Sequence, residues 1–428
     1  MKIWNQNPKD LNSSIDSFLS GEDIVLDQEL FLYDVKASIA HTHELHAIKI
    51  LNSSEQKKLI SALKKLAKLF ESGKFKLTSK YEDCHSAIEA FLTKELGVLG
   101  KKIHTGRSRN DQVLVAMRLY MRDQLVETSK QSLLIADALL KMAAKHAKDP
   151  MPGYTHLQRA MPSSWGLWFG AYAESFLDNA ELLTSTMSWM NLNPLGTAAG
   201  YGVNLPLKRD ISTKELEFKR KQLNSLYTQN SRGKFELEMV GVLKQPMLDL
   251  RKLAWDLSLF LTQEFDLLSV GSKYSTGSSI MPNKSNPDVV EIMRANYAVI
   301  AGHYAELENL ISLPSGYHRD LQVTKRSVIH ASHCTIKTLS LAPDLIQSIK
   351  VHAKRSNDLI DAEMLMTDQV YDLVKAGMPF RDAYIQIKSK KPSIKSTAKK
   401  TLSNTSSGSP GNLELGILRK RLERLKKA

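Results

Sequence analysis

A polar loop between two long apolar stretches carries side chains suited to acid–base chemistry on an anionic ligand. Residues 271–288 read GSKYSTGSSIMPNKSNPD, with Ser278 beside a glycine and with Lys284 and Asn286 shortly after it. Two prolines in the segment exclude a continuous helix. A mobile Gly- and Ser-rich loop can bring a hydroxyl into a site closed to water, and a lysine with an amide suits carboxylates. The loop is therefore a candidate catalytic segment; an ordinary surface turn is the alternative.

A second polar segment, residues 104–112, reads HTGRSRNDQ. It is too polar for a buried helix and too compact for a linker. It forms either an exposed turn or part of a site that binds anions through Arg107 or Arg109 and an amide through Asn110.

A third polar segment, residues 151–162, is bounded by prolines and is predicted to be a polar connector. It carries Thr155, His156 and Gln158. A further polar connector, residues 314–325, reads PSGYHRDLQVTK. Only the side-by-side packing of several helices can bring such distant segments together.

The rest of the chain shows apolar residues at three- and four-residue spacing, which predicts long helices. The longest are expected at residues 113–149, 163–190, 235–270 and 288–313. No clear alternating strand pattern is present, so the predicted fold class is all-α, a long central helix bundle with smaller helical N- and C-terminal domains. The predicted domains are residues 1–106, residues 107–359, and residues 360–428 with a basic tail.

The beginning of the chain is less regular. Residues 1–36 are predicted to be irregular with short helices, followed by a helix from 33 to about 51. That helix carries His41, His43 and His46, but a metal site is not favoured because His41 and His43 point to different faces. The glycine-rich residues 193–202 lack the GxGxxG spacing and a preceding strand, which argues against a dinucleotide site.

The composition is that of a globular protein with a large core: 428 residues, 42% hydrophobic and 24% charged. Two distant cysteines, no apolar leader and no long uncharged apolar stretch predict a reduced, cytoplasmic protein without a membrane span. Residues 388–428 hold twelve of the 59 Lys and Arg but only two of the 45 acidic residues, so most of the net charge of +14 lies there. A solvated basic tail is the leading interpretation, and an RNA or other anionic partner is the less favoured alternative.

The loop resembles the signature loop of the fumarase/aspartase superfamily of lyases. The matching positions are Gly277, Ser278, Ser279, Met281, Pro282, Lys284, Asn286 and Pro287. The motifs HTGRSRNDQ, PGYTHLQRA and YHRDLQ make the chain similar to the argininosuccinate lyase family in particular, and the resemblance covers residues 33–382. It implies elimination of fumarate from argininosuccinate to give arginine, without a cofactor or metal. It also implies a homotetramer in which three chains build each site.

The resemblance also implies roles for individual residues. Ser278 matches the general base, which Lys284 helps to activate. Lys284 and Asn286 match residues that hold the fumarate-side carboxylates. His156 matches the histidine that assists proton transfer or fixes charge, and Glu291 the acid that orients it. Further matched substrate-binding positions are Ser38, Arg109, Asn110, Thr155, Gln158, Tyr317, Gln322 and Lys325.

The chain departs from the family pattern at several positions, none of them a matched catalytic residue: Ala116, Met161, Asn283, Ser285, Asn296 and Tyr384. Two other interpretations stay open, a superfamily lyase acting on a different fumaryl adduct and a non-catalytic structural protein on this fold. Retention of Ser278, His156 and Lys284 favours an enzyme. A binding function of the basic tail would be an addition to either.

Overall fold

The protein is described here by a computed structural model covering residues 15, 18, 19, 21–78, 80–389, 402 and 404–427. Most of these residues are helical, which confirms the predicted all-α fold. The helices of the N-terminal half are α1 (Asp23–Ala47), α2 (Ser53–Glu71), α3 (Cys84–Leu96), α4 (Val98–Lys101), α5 (Arg109–Lys145), α6 (Trp165–Met190), α7 (Arg209–Glu215) and α8 (Ser225–Asn230). Those that follow are α9 (Lys234–Phe260), α10 (Asp288–Leu310), α11 (Thr324–Ser348), α12 (Ala353–Asp358), α13 (Met366–Lys375), α14 (Phe380–Lys388) and α15 (Leu415–Leu425). Short 3-10 turns lie at Lys102–His104, Ser272–Tyr274, Arg319–Val323 and Glu363–Leu365.

Short strands accompany the helices: β1 (Pro150–Thr155), β2 (Gln158–Ser164), β3 (Leu192–Asn193), β4 (Arg220–Lys221), β5 (Leu268–Ser269), β6 (Thr276–Gly277), β7 (Ser285–Asn286) and β8 (Lys350–Val351). Strands β3 and β4 pair in parallel, whereas β1–β2, β5–β8 and β6–β7 are antiparallel. The polar connector predicted at residues 151–162 is a hairpin of β1 and β2, and the sequence did not predict these strands. Two prolines in this segment, Pro152 and Pro162, obscured its strand character in the sequence.

Helix α1 begins at Asp23, well before the predicted start near residue 33. Its buried residues include Asp27, Asp34, His41 and Glu44, each with no exposed surface. A helix that buries charged side chains does not show the apolar stripe from which an amphipathic helix is recognised. The part of the predicted irregular segment before residue 15 lies outside the described residues.

The chain divides into two compact units, each made of three stretches. The first unit contains the described residues up to Glu127, together with Leu183–Leu243 and Val299–Cys334. Its apolar core joins α1 and α5 to the segment after α6 and comprises Ala37, Ala40, Val115, Leu119, Leu195, Leu216 and Phe218. The predicted three-domain division of the sequence remains a prediction.

The second unit contains Thr128–Leu182, Lys244–Ala298 and the described residues from Thr335 onwards. Hydrogen bonds between polar side chains connect its long helices. Asn179 on α6 donates to Asp249 on α9 at 2.8 Å, and Trp168 Nε1 donates to Asp256 at 2.9 Å. Asn296 on α10 donates to Thr338 on α11 at 2.8 Å. These cross-links fix the relative positions of neighbouring helices within the unit.

The C-terminal helix α15 docks on α6 within the second unit. Arg421 lies 2.6 Å from Asp178 and 2.8 Å from Glu181, and Arg424 lies 2.9 Å from Glu181. The prediction of a solvated basic tail does not hold for Arg421, whose side chain is only 21% exposed. The basic residues at 390–400 lie outside the described residues. No helix in the described part of the chain is long and apolar enough to cross a membrane.

Candidate active site

The polar segment 104–112 leads into the first turn of α5. Ser108 N donates to Asp111 Oδ1 at 2.9 Å, so the side chain of Asp111 helps to cap the helix. The other oxygen, Oδ2, accepts hydrogen bonds from Gly196 N at 2.9 Å and Ala198 N at 3.0 Å. Burial raises the pKa of Asp111. This carboxylate therefore anchors the glycine-rich segment 193–202 to the start of α5.

The side chain of Arg107, a candidate anion-binding residue, is buried inside the protein. It is 8% exposed, and its NH1 donates to Ser38 Oγ at 2.8 Å. The same hydroxyl donates to Asp34 at 3.4 Å. Burial lowers the pKa of Arg107. Ser38, a predicted substrate contact, is thus fully buried and engaged by two charged neighbours.

Five predicted substrate-binding residues line one cavity in the first unit, with six that the sequence did not single out. The predicted residues are Arg109, Asn110, Tyr317, Gln322 and Lys325. The additional lining residues are Asp23, Glu82, Asp83, Val113, Arg232 and Arg319. The cavity combines four cationic side chains with three carboxylates, an arrangement that suits a ligand carrying both charges.

Ion pairs hold two of the predicted residues in the cavity wall. Lys325 is 2% exposed, and its Nζ lies 2.7 Å from Asp23 and 2.8 Å from Asp27. Burial alone would lower the pKa of Lys325, but the carboxylates of Asp27 and Asp23 outweigh it, so its pKa is raised. Arg109 lies 2.9 Å from Glu82 and 3.0 Å from Asp83. These ion pairs therefore fix both side chains in position.

Beside this cavity, the side chains of Asp27, Cys84 and His85 have potential metal-ligating atoms within 4.8 Å of one another. Their environment is less suited to a metal. Asp27 already pairs with Lys325 and accepts from Cys84 N at 3.0 Å. Burial raises the pKa of the Cys84 thiol well above its usual range, which disfavours the thiolate that would bind a metal. The cluster is better described as a buried ion-pair network.

His156 lies at the tip of the β1–β2 hairpin. Thr155 and Gln158 pair across the strand ends, leaving His156 and Leu157 as a two-residue turn. Their φ angles of 55° and 58° are those of a type I′ turn, which usually selects Gly, Asn or Asp. Both residues are exposed, and Leu157 is 69% exposed. The hairpin thus presents an imidazole on a backbone conformation that is strained for this residue type.

The loop of residues 278–284 connects β6 to β7 and carries the predicted base. Ser278 Oγ accepts hydrogen bonds from Met281 N at 3.0 Å and Ile280 N at 3.3 Å. Lys284 is exposed at the other end of the loop, and Asn286 lies in β7 opposite Thr276. Two backbone N–H groups directed at one oxygen stabilise negative charge on it.

Glu291 lies in the first turn of α10, and its side chain is 48% exposed. Its Oε1 lies 3.7 Å from the NH2 of Arg294. Within the part of the second unit that the structure describes, no hydrogen bond or ion pair joins His156 to Ser278, Lys284 or Glu291. His156, at the tip of the β1–β2 hairpin, thus lies on a different element from Ser278, Lys284 and Glu291.

The cavity-lining residues that were not predicted from the sequence lie in no recognisable motif. Arg232 follows the short helix α8, and Glu82 and Asp83 precede α3, where Asp83 caps the helix. A cap residue and isolated arginines occur on any surface. Only their convergence in one cavity distinguishes them.

Comparison with known proteins places the chain in a family. The protein-family model described as Lyase matches residues 16–302. An argininosuccinate lyase of Xanthomonas campestris pv. campestris (strain B100) is 46% identical over 426 residues, covering 99% of each chain. The argininosuccinate lyase of Xanthomonas axonopodis pv. citri (strain 306) is 49% identical over 382 residues, covering 89% of this chain and 88% of that protein.

The solved structures support the fold independently. EDDS lyase in complex with formate superposes with a TM-score of 0.79 at 23% identity, covering 96% of this chain and 90% of that chain. At this identity the similarity concerns the fold alone. The family match and the near full-length relatives go further, and this chain belongs to the argininosuccinate lyase family of the fumarase/aspartase superfamily.

Proposed function

We propose that this protein is an argininosuccinate lyase, which reversibly eliminates fumarate from argininosuccinate and leaves arginine. The observation that carries this proposal is the 46% identity to an argininosuccinate lyase over 99% of both chains. The cavity lined by Arg109, Asn110, Tyr317, Gln322 and Lys325 agrees with it, since these residues were assigned to substrate binding from the same family motifs.

The reaction removes a proton from a carbon next to a carboxylate, and negative charge builds up on that carboxylate. A neutral serine is a weak base, so Ser278 needs stabilisation of its alkoxide. The hydrogen bonds from Ile280 N and Met281 N to Ser278 Oγ supply part of it. Lys284, on the same loop, adds a positive charge when the loop closes over substrate. Asn286 and Lys284 then hold the fumarate-side carboxylates.

The nitrogen of the departing arginine must gain a proton as the carbon–nitrogen bond breaks. His156 assists this transfer or stabilises the charge, and Glu291 orients the imidazole. Since Glu291 contacts Arg294 in its own chain, the Glu291–His156 contact is proposed to form between chains. The exposed hairpin tip suits such a reach into a neighbouring chain, where Thr155 and Gln158 would also meet substrate.

Ser38 takes part in a different way. Its hydroxyl is engaged by Arg107 and Asp34 in this structure. A direct contact with substrate therefore requires Arg107 to release it. Without that movement, Ser38 contributes by holding Arg107 in the buried polar network.

A homotetramer fits the surface of the long helices. Large apolar side chains are exposed along α9 and α10, among them Trp255 at 47%, Ile292 at 61% and Val299 at 46%. Large apolar side chains that one chain leaves exposed are commonly buried at interfaces between chains. The proposed domains are residues 1–106, 107–359 and 360–428. In the last of these, Val370, Ala383 and Ile387 form a small core of their own.

The test is the ultraviolet absorbance of fumarate when purified protein is mixed with argininosuccinate. We expect absorbance to rise with enzyme concentration and argininosuccinate to form again from arginine and fumarate. Fumarate release from a different fumaryl adduct, and not from argininosuccinate, would assign the chain to another lyase activity. Release from neither would leave the structural-protein interpretation.

A further inference from the structure

Arg232 stands out among the cations of the first-unit cavity because it forms no ion pair with an acidic residue in the described part of the chain. It lies on the short connection between α8 and α9 and is 5% exposed. Its side chain lines the cavity, and it has no hydrogen-bond or ion-pair partner among the described residues. A nearly buried guanidinium without a counterion is costly unless a ligand supplies the negative charge.

The other cations of the cavity are already engaged. Arg109 pairs with two carboxylates, and so does Lys325. Arg319 donates to the carbonyl oxygen of Leu19 at 2.7 Å. Arg232 is therefore the cationic lining residue left to bind an incoming anion within the part of the cavity that the structure describes.

Neighbouring residues fix the position of the Arg232 side chain in the cavity wall. Its guanidinium carbon lies 5.4 Å from the centre of the Tyr317 ring. Asn230 links the two segments, since its Oδ1 accepts from Gly316 N at 2.8 Å and its Nδ2 donates to Ser315 at 3.3 Å. A guanidinium packed against an aromatic face keeps its N–H edge available for bidentate contact with a carboxylate.

The cavity also indicates which part of a ligand it accepts. Its volume is about 70 Å³, which suits an end group and not a whole substrate. Asp23, Glu82 and Asp83 line the same space but already pair with Lys325 and Arg109. The guanidinium of Arg232 is left to complement the carboxylate of an α-amino acid end group.

We infer that Arg232 binds the α-carboxylate at the arginine end of the substrate, an inference that rests on the proposed argininosuccinate lyase function. The fumarate-side carboxylates are left to the loop of Lys284 and Asn286. Arg232 is thereby a determinant of specificity for an amino-acid end group, and it acts on the arginine product as well as on the substrate.

The test compares inhibition of the lyase by arginine with inhibition by agmatine, which lacks the α-carboxylate. Wild-type protein should bind arginine roughly tenfold or more tightly than agmatine, the range for a charge-assisted hydrogen bond. Arg232→Gln should remove this difference, raise KM by a similar factor and leave inhibition by fumarate unchanged. Arg232→Lys should restore part of the preference, and Arg220→Gln, at an exposed arginine of the same unit, should keep all of it.

Three results would overturn the inference: equal inhibition of the wild type by arginine and agmatine, an unchanged preference in Arg232→Gln, or parallel loss of arginine, agmatine and fumarate binding. The last would indicate a structural role for Arg232. Calorimetric titration of wild type and Arg232→Gln with arginine separates this question from the proposed function. If the protein releases no fumarate from argininosuccinate, arginine binding and its loss in the variant still decide the role of Arg232.

Discussion

His85 Nδ1 lies 2.6 Å from Asp34 Oδ2, and both side chains are buried in the first unit. Burial alone would lower the pKa of His85, but Asp34 outweighs it, with help from Asp83 and Asp27, and the pKa is raised. The stabilisation from the charged pair is therefore fully present below the unfolded-state pKa of about 6.5. It is lost as the pH rises through the higher folded-state pKa.

The variant His85→Gln should consequently cost the most stability at low pH. We expect a loss of about 3 kcal/mol or more near pH 6, as for breaking a buried ion pair, and a smaller loss as the pH rises above neutral. Chemical unfolding at one fixed protein concentration measures this loss. The control is His43→Gln, whose half-buried pair with Glu215 should contribute about 1 kcal/mol or less. A loss for His85→Gln that is constant or grows with pH would contradict the assigned charge state.

Ser278→Ala should retain the fold and lose turnover by a factor on the order of a hundred or more, because the positioned base is removed. Circular dichroism and steady-state fumarate release measure the two properties. Ser279→Ala provides the matched control, since it removes an exposed hydroxyl from the same loop and should change turnover far less. Near wild-type turnover in Ser278→Ala would exclude Ser278 from the chemistry.

Two inactive variants should rescue each other if Ser278 and His156 reach one site from different chains. Ser278→Ala and His156→Asn chains are unfolded, mixed and refolded together. Some hybrid assemblies then contain a site with both groups intact, so part of the activity should return. Differently tagged chains show by co-purification that hybrids have formed. Hybrids no more active than the separate variants would rule out the shared site.

Light scattering at micromolar concentration should give about four times the chain mass of 48.0 kDa. The physical reason is the exposed apolar surface of α9 and α10, which a single chain leaves uncovered. A charged substitution at an exposed position, Trp255→Lys, should lower the measured mass. A monomer mass for the wild type would contradict the proposed assembly.

Arg421→Gln should lower the free energy of unfolding by up to about 1 kcal/mol, since Arg421 joins two carboxylates of α6 at the protein surface. The loss should shrink at high salt, because screening weakens exposed ion pairs. Lys420→Gln removes an exposed charge from the same helix and should have a smaller effect. Equal effects of the two changes would show that the docking of α15 does not depend on Arg421.

The sequence predicted most of the helical fold because long apolar periodicity is a local property. It failed where the determining interaction is distant in the chain. Helix α1 was placed too late because Asp27 and Asp34 are neutralised by Lys325 and His85, far away in sequence. The basic tail gave no sign of docking, since Glu181 lies 240 residues before Arg421.

In the candidate site, too, local motifs were predicted from the sequence, and features that depend on distant residues were not. The family motifs gave the segments that carry Ser278, His156 and Asn110, and the structure shows what holds each segment. The hairpin under His156 was missed because neither residue of its turn is a glycine or asparagine. Arg232 was missed because an isolated arginine has no motif, and only the cavity around it indicates a use.

The three-stretch composition of each unit has a consequence for synthesis on the ribosome. The first unit lacks its last stretch until Cys334 has been made, and the second lacks α15 until Leu425 has been made. At about 5–20 residues per second, the 240 residues between Glu181 and Arg421 take on the order of ten seconds or more to translate. Throughout that interval Asp178 and Glu181 on α6 lack their Arg421 and Arg424 partners, so the surface that α15 covers is exposed on the nascent chain.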